Sequence, residues 1–293
     1  MSAAPLATSP TFTVDSKPGV YEMSADEYHA DPVAGGSLSS SGARLLLPPS
    51  CPALFLYDRE HGQKPAEHFD IGHAAHRLVL GAGPELVAVD AENWRTKAAR
   101  AQADEARARG AVPLLVDDLE QVKAMADALA FHPIAKALFD PERGRPEQTL
   151  IWRDGPSRVV RRARFDWLPD AGPGRLIIPD YKTCRSADPG ALARAVHQFG
   201  YHQQADWYRA GAIALGLAGD DTAFVFVCQE KDPPFLVTVV ELDAMALRIG
   251  AIRNRRAIEI YAQCVSTGQW PGYVDGIELL SLPAWAEMQE GDQ

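Results

Sequence analysis

The sequence predicts an α/β fold, a mixed sheet flanked by helices, preceded by a helical N-terminal part. Two observations carry this. Up to about residue 145 the chain is dominated by helix formers and by apolar residues at three- and four-residue spacing, as in Val116, Leu119, Val122, Met125, Ala126 and Leu129. Near residue 146 the character changes to short β-rich runs punctuated by Asp-Gly-Pro and Gly-Pro-Gly breaks.

Residues 1–18, rich in Pro, Ser, Thr and Ala, are expected to form a flexible lead-in. Ser24-Ala25-Asp26-Glu27 fits a capping box at a helix start. A short helix is expected from Ser39 to Leu47, stopped by Pro48-Pro49, with another beginning near Pro52. Helices are also expected over 66–80, 93–109 and 116–130. Strands follow at 148–153, 157–168 and 175–183, then one long helix over 189–215. Strands at 223–230 and 235–241 and a last helix over 243–267 complete the pattern. The expected organisation is one domain over 19–280, with a helical half at 19–145, an α/β core at 146–270 and a tail at 281–293.

The chain has 293 residues, enough to bury a large core without disulfide or structural metal. Its four cysteines (51, 184, 228 and 264) form no CxxC pair, which suits reduced thiols and a cytoplasmic setting. No apolar run reaches membrane-span length, so no membrane partner is expected. With 29 Lys and Arg against 39 Asp and Glu, the net charge of −10 disfavours non-specific coating of nucleic acid. It leaves room for local phosphate binding by clusters such as Arg161, Arg162 and Arg164.

Two segments carry candidate chemistry: Arg162-Ala163-Arg164-Phe165-Asp166 and Pro179-Asp180-Tyr181-Lys182-Thr183. Alternate strand residues share a face, so Asp166 lies with Arg162 and Arg164, and Asp180 lies with Lys182. If the two strands pair as a hairpin, two carboxylates and an ammonium converge. Buried carboxylates repel unless a cation sits between them, and a divalent ion with a nearby lysine suits phosphodiester hydrolysis. Alone, an Asp-x-Lys on a strand is common, and a surface ion pair explains most of them.

Asp166 followed by Asp180-Tyr181-Lys182 resembles the core motif of the PD-(D/E)xK nucleases, in the RecB-like and exodeoxyribonuclease VIII (RecE-type) flavour found in phages and prophages. Gly72-His73-Ala74-Ala75-His76 resembles that group's helical GxxxH motif. Gln204 and Tyr208 match its Gln-x-x-x-Tyr helix, and Glu147 matches an acidic position before the core. Leu38-Ser39-Ser40-Ser41 and Ser50-Cys51-Pro52-Ala53 resemble its N-terminal opening.

The resemblance implies that His76, Asp166, Asp180 and the Tyr181 carbonyl hold Mg²⁺ or Mn²⁺. Glu147 would reach the ion directly or through water, Lys182 would place the attacking water, and Gln204 and Tyr208 would place the DNA strand. It further implies an exonuclease on duplex DNA ends, a ring-shaped homo-oligomer, and a single-strand annealing protein as recombination partner. The scattered cysteines leave no iron–sulfur cluster to expect, and the absence of a GxxxxGK[ST] motif leaves no ATP motor. Two alternatives are a RecB-like structure-specific or single-strand endonuclease in repair or defence, and a non-catalytic DNA-binding module that kept the fold.

Overall fold

The computed structural model describes residues 17–62, 71–284, 286 and 288. The expected lead-in at 1–18 and tail at 281–293 fall largely outside them.

The chain enters through β1 (Gly19–Glu22) and α1 (Ala25–His29), where Ser24 and Glu27 form the reciprocal capping box. Next come β2 (Leu38–Ser39), α2 (Ser40–Leu45), α3 (Pro52–His61) and α4 (Ile71–Leu80). The expected start of α4 at residue 66 lies outside the described residues. A peripheral unit follows: β3 (Leu86–Val89), α5 (Lys97–Ala108), β4 (Val112–Leu115), α6 (Val116–Phe131) and α7 (Pro133–Leu138), with β3 and β4 paired in parallel.

The core begins with β5 (Gly144–Arg153), β6 (Val160–Pro169) and β7 (Ile177–Cys184). After these come α8 (Pro189–Phe199), α9 (Tyr201–Ala214), β8 (Ala223–Glu230), β9 (Val237–Glu241) and α10 (Ala244–Thr267). The helix expected over 189–215 is thus two. Gly200 sits between them at φ 70°, a left-handed conformation that glycine adopts without steric cost. The apolar periodicity runs through this break, so spacing alone does not reveal it.

Two mixed sheets form the centre. One has strand order β1-β5-β6-β2, antiparallel except for the β2–β6 pair; the other has order β7-β8-β9, with β7 and β8 parallel. The expected hairpin between the Asp166 and Asp180 strands is therefore corrected. β6 pairs with β5 and β2, while β7 pairs with β8. β6 and β7 are neighbours across the junction of the two sheets, and the Asp166 side chain joins them.

α9 packs on β5, β6 and β8, spanning both sheets, and α10 packs outside it. Trp207 of α9 is completely buried, and its indole N–H donates to the Arg162 carbonyl at 3.0 Å, which locks the helix to β6. On β7 the alternation puts Tyr181 in a second cluster with Val122, Met125 and Val227, leaving Asp180 and Lys182 on the opposite side. Tyr181 Oη donates to Gln229 Oε1 at 2.6 Å, and Gln229 Nε2 donates to the Met125 carbonyl at 2.8 Å. This buried anchor fixes the phase of β7, and with it the direction of the Asp-x-Lys pair.

Candidate active site

Four elements supply the site. α4 brings His76, β5 brings Glu147, β6 brings Asp166, and β7 brings Asp180 and Lys182. His76 Nε2 lies 3.1 Å from Asp166 Oδ2, and its Nδ1 lies 3.4 Å from Glu147 Oε1. With a carboxylate at each ring nitrogen, the imidazolium is favoured. Burial alone would lower the His76 pKa, but Asp166 and Glu147 outweigh it and raise the value.

Asp166 Oδ2 also accepts the Tyr181 backbone N–H at 2.8 Å, which is the link between β6 and β7. Burial works against ionisation of Asp166. The His76 contact, the Lys182 charge and this N–H prevail and hold its pKa below the usual value. Asp180 is 1% exposed, and its Oδ2 lies 2.5 Å from Lys182 Nζ. Gln204 Nε2, from the first turns of α9, donates to Asp180 Oδ1 at 2.7 Å. Burial and the neighbouring Asp166 charge push Asp180 up to about 6. Lys182 is half-buried, its side chain 24% exposed. Burial would lower its pKa, but Asp180 and Asp166 raise it, so it stays an ammonium.

Glu147 lies within β5, where the ladder runs opposite the Phe165–Trp167 stretch that holds Asp166, and not ahead of the strand as the sequence suggests. Its φ of 57° is a conformation that L side chains rarely adopt. The strain is held in place by Arg164, whose guanidinium binds Glu147 Oε2, and by the contact to His76. Tyr208 does not reach the carboxylates. Its hydroxyl donates to the Arg164 carbonyl at 2.9 Å and its ring stacks on Phe165, so it supports β6 from behind.

The arginines expected as phosphate contacts are engaged elsewhere. Arg161 lies between Trp152 and Trp207, 3.9 Å from the Trp207 ring centroid, and faces Asp154. Arg162 pairs with Asp31 at 2.9 Å and with Ser37, and Arg164 pairs with Glu147. The partner of Arg164 is 17 positions away and that of Arg162 is further, separations over which sequence spacing carries no signal. Arg164 is the functional neighbour that sequence reasoning missed as a support for the site. The register that sets residue 147 against the Asp166 stretch is the signal that finds it.

Two carboxylates and an imidazole form a donor set of the kind that Mg²⁺ or Mn²⁺ takes. Burial and the facing Asp166 charge raise Asp180, and a divalent ion between the two carboxylates would favour its ionised form. As arranged, His76 and Lys182 neutralise these carboxylates, and among the described residues no three His, Cys, Asp or Glu side chains form a ready-made cation cage. The donors fit the ion in kind. Tyr181 shows its N–H, not its carbonyl, bonded into the site.

No curated protein matches the sequence. Among solved structures, the chain is similar to a protein from Eubacterium rectale named as a candidate exonuclease, with a TM-score of 0.55 at 10% identity, over 92% of this chain and 99% of that one. At that identity the likeness speaks to the fold alone. Residues 39–283 match the model of a family described as a PDDEXK-like domain of unknown function (DUF3799), and the chain belongs to that family.

Proposed function

We propose that this chain is a divalent-metal-dependent DNA exonuclease that hydrolyses phosphodiester bonds from duplex ends. The observation that carries the reading is the Asp180–Lys182 ion pair on β7, set beside the Asp166–His76 contact that bridges β6 and α4. A largely buried lysine on an apolar strand costs several kcal/mol unless it is compensated, and here its compensation is a carboxylate pair suited to hold a cation.

His76, Asp166, Asp180 and the Tyr181 carbonyl would hold Mg²⁺ or Mn²⁺, with Glu147 behind His76. When bound, such an ion lowers the pKa of water and offsets charge on a phosphoryl oxygen. The protein's own groups do the rest. Lys182 Nζ, kept charged by its neighbours, orients a water toward the scissile phosphorus and meets the charge that builds there. Gln204 fixes the Asp180 carboxylate by its amide hydrogen bond. Tyr208 holds the β6 backbone between Arg164 and Asp166, and Arg164 holds Glu147.

The finer part of the reading is action on duplex ends to expose a single strand for an annealing protein, by a ring of subunits. It rests on the family resemblance and on one further feature. Ile277, Leu279, Leu280 and Leu282 are exposed beyond α10, an apolar segment of the kind that assembly covers. The test is digestion of linear and closed-circular duplex with Mg²⁺. An end-dependent enzyme degrades the linear form and spares the circle. Cleavage of both forms favours a structure-specific or single-strand endonuclease, and cleavage of neither favours a binding module.

A further inference from the structure

Beside the candidate active site lies a second basic group that the proposed chemistry does not use. Gly200, at the α8–α9 junction, is overlain by Arg44 of α2: a Cβ at Gly200 would stand 2.6 Å from Arg44 Nε. Arg253 of α10 reaches the same junction, where its Nε donates to Gln203 Oε1 at 2.9 Å and its Nη2 donates to the Pro48 carbonyl at 3.3 Å. The rings of His197 and His202 stack nearly parallel there, 6.2 Å apart. Neither Arg44 nor Arg253 forms an ion pair with a carboxylate among the described residues. Arg253 is a basic neighbour of both Arg44 and His202, and His197 is a further one of His202.

Two observations show that this group lacks a partner. His202 is 5% exposed, and its Nδ1 faces the Val196 carbonyl at 3.1 Å, while its Nε2 is buried with no hydrogen-bond partner. The 14-residue helix α9 starts at Gly200 with no side-chain cap and no acidic residue in its first turn, directly after the C-terminus of α8. Some arginines elsewhere are matched to carboxylates, among them Arg59, Arg162, Arg164, Arg175 and Arg255.

Its position gives the ligand class. Tyr201, the first residue of α9, has its ring 5.7 Å from Lys182 Nζ and is also felt electrostatically by Arg44, so one aromatic ring separates the catalytic lysine from the basic group. Gln204, one turn along the same helix, bonds Asp180.

We propose that Arg44, Arg253 and the start of α9, flanked by His197 and His202, form a subsite for a backbone phosphate of the DNA strand next to the one being cut. Guanidinium groups and helix N-termini are the usual donors to backbone phosphates, and such contacts set the register of the strand without reading its sequence. The subsite rests on the nuclease reading above and deepens it, by giving the strand a fixed point on the far side of Tyr201 from Lys182.

The test uses the full chain carrying Asp180→Asn, with Mg²⁺ present, and a short fluorescein-labelled linear duplex. Binding is followed by fluorescence anisotropy across a salt series. Arg44→Ala in this background is expected to weaken binding about tenfold, the worth of one charge-assisted hydrogen bond. It should also lower the slope of log K against log salt by about 0.9, the share of one neutralised phosphate. Arg44→Lys should recover most of both, and Arg253→Ala should behave like Arg44→Ala. In the otherwise unaltered chain, Arg44→Ala should raise KM and leave kcat close to the parent value.

Parent-like affinity and slope in the Arg44→Ala, Arg253→Ala double variant would overturn the subsite while leaving the nuclease reading intact. If the parent neither binds nor cleaves the duplex, the nuclease reading falls and the subsite falls with it.

Discussion

Replacing Gly250 by alanine pits helix propensity against packing, and the two predict opposite signs. Gly250 lies within α10 where that helix crosses α9. A Cβ there would stand 2.1 Å from the His202 carbonyl oxygen, 2.6 Å from its carbon and 3.2 Å from the Gln203 nitrogen. All three are backbone atoms of a helix anchored by Trp207, so none can rotate aside. Relief requires the two helices to part by roughly an ångström, which forfeits a quarter to a half of the van der Waals attraction at the crossing. Such overpacking costs about 1–3 kcal/mol.

Separation also stretches the bonds of the adjacent turn. Asn254 Nδ2 donates to the Gln203 carbonyl and to Asp206 Oδ2, each at 2.8 Å, and together these are worth about 2 kcal/mol. Alanine in place of glycine in a helix returns about 1 kcal/mol. The net expectation is destabilisation of about 2–4 kcal/mol, a fall in Tm of roughly 5 °C or more. Thermal unfolding followed by circular dichroism measures it. Because Gln204 follows Gln203 directly, nuclease activity should fall as well. A Tm equal to or above the parent's would show that the crossing tolerates the methyl and that the close-contact argument is wrong.

Other expectations follow from the same geometry. Asp154 is 5% exposed. Burial would raise its carboxyl, but hydrogen bonds from Arg255 and from the Ser157 hydroxyl and N–H hold it well below the usual range. A depressed folded pKa contributes stability that is complete above the unfolded value and is lost as pH falls through the folded one. Asp154→Asn should therefore cost about 1–2 kcal/mol in urea unfolding at neutral pH, with the gap to the parent closing in acid; a gap that widened in acid would contradict the assignment. Tyr208→Phe should cost about 1 kcal/mol of stability, since it leaves the buried Arg164 carbonyl short of a donor, and should lower kcat only modestly. Gln204→Ala should lower kcat more than Tyr208→Phe, because it releases Asp180 directly. Chelation with EDTA should stop digestion, and added Mg²⁺ or Mn²⁺ should restore it; digestion that persisted in EDTA would remove the metal from the account.

The core strands and the last helix were legible because they obey local rules. Alternation on 175–183, with Ile177 and Ile178 ahead of Asp180 and Lys182, marks β7, and the Asp243 cap marks the start of α10. The short strands were not. β2 is two residues long, Leu38–Ser39, and exists only because β6 lies beside it, so its sequence reads as the approach to a helix. β4 contains Pro113, a residue that argues against a strand until β3 is seen pairing with it.

At the site, Asp166, Asp180 and Lys182 were readable from alternation within each strand, and His76 from the motif spacing. The company they keep was not. Arg162 and Arg164 look like free charges in sequence because Asp31 and Glu147 reach them only through the folded sheet. Glu147 gives no sign in sequence of its left-handed backbone or of its place within β5, against the stretch that holds Asp166.

The central claim is that Asp180 and Lys182, brought beside Asp166 and His76, make a hydrolytic centre. Release of acid-soluble nucleotides from end-labelled linear duplex in Mg²⁺, compared for the parent, Lys182→Ala and Asp180→Asn at matched folded concentrations, tests it. Loss of the ammonium that orients water should slow release by at least about a hundredfold, and Asp180→Asn should abolish release while DNA binding persists. Equal release by parent and Lys182→Ala would contradict the claim.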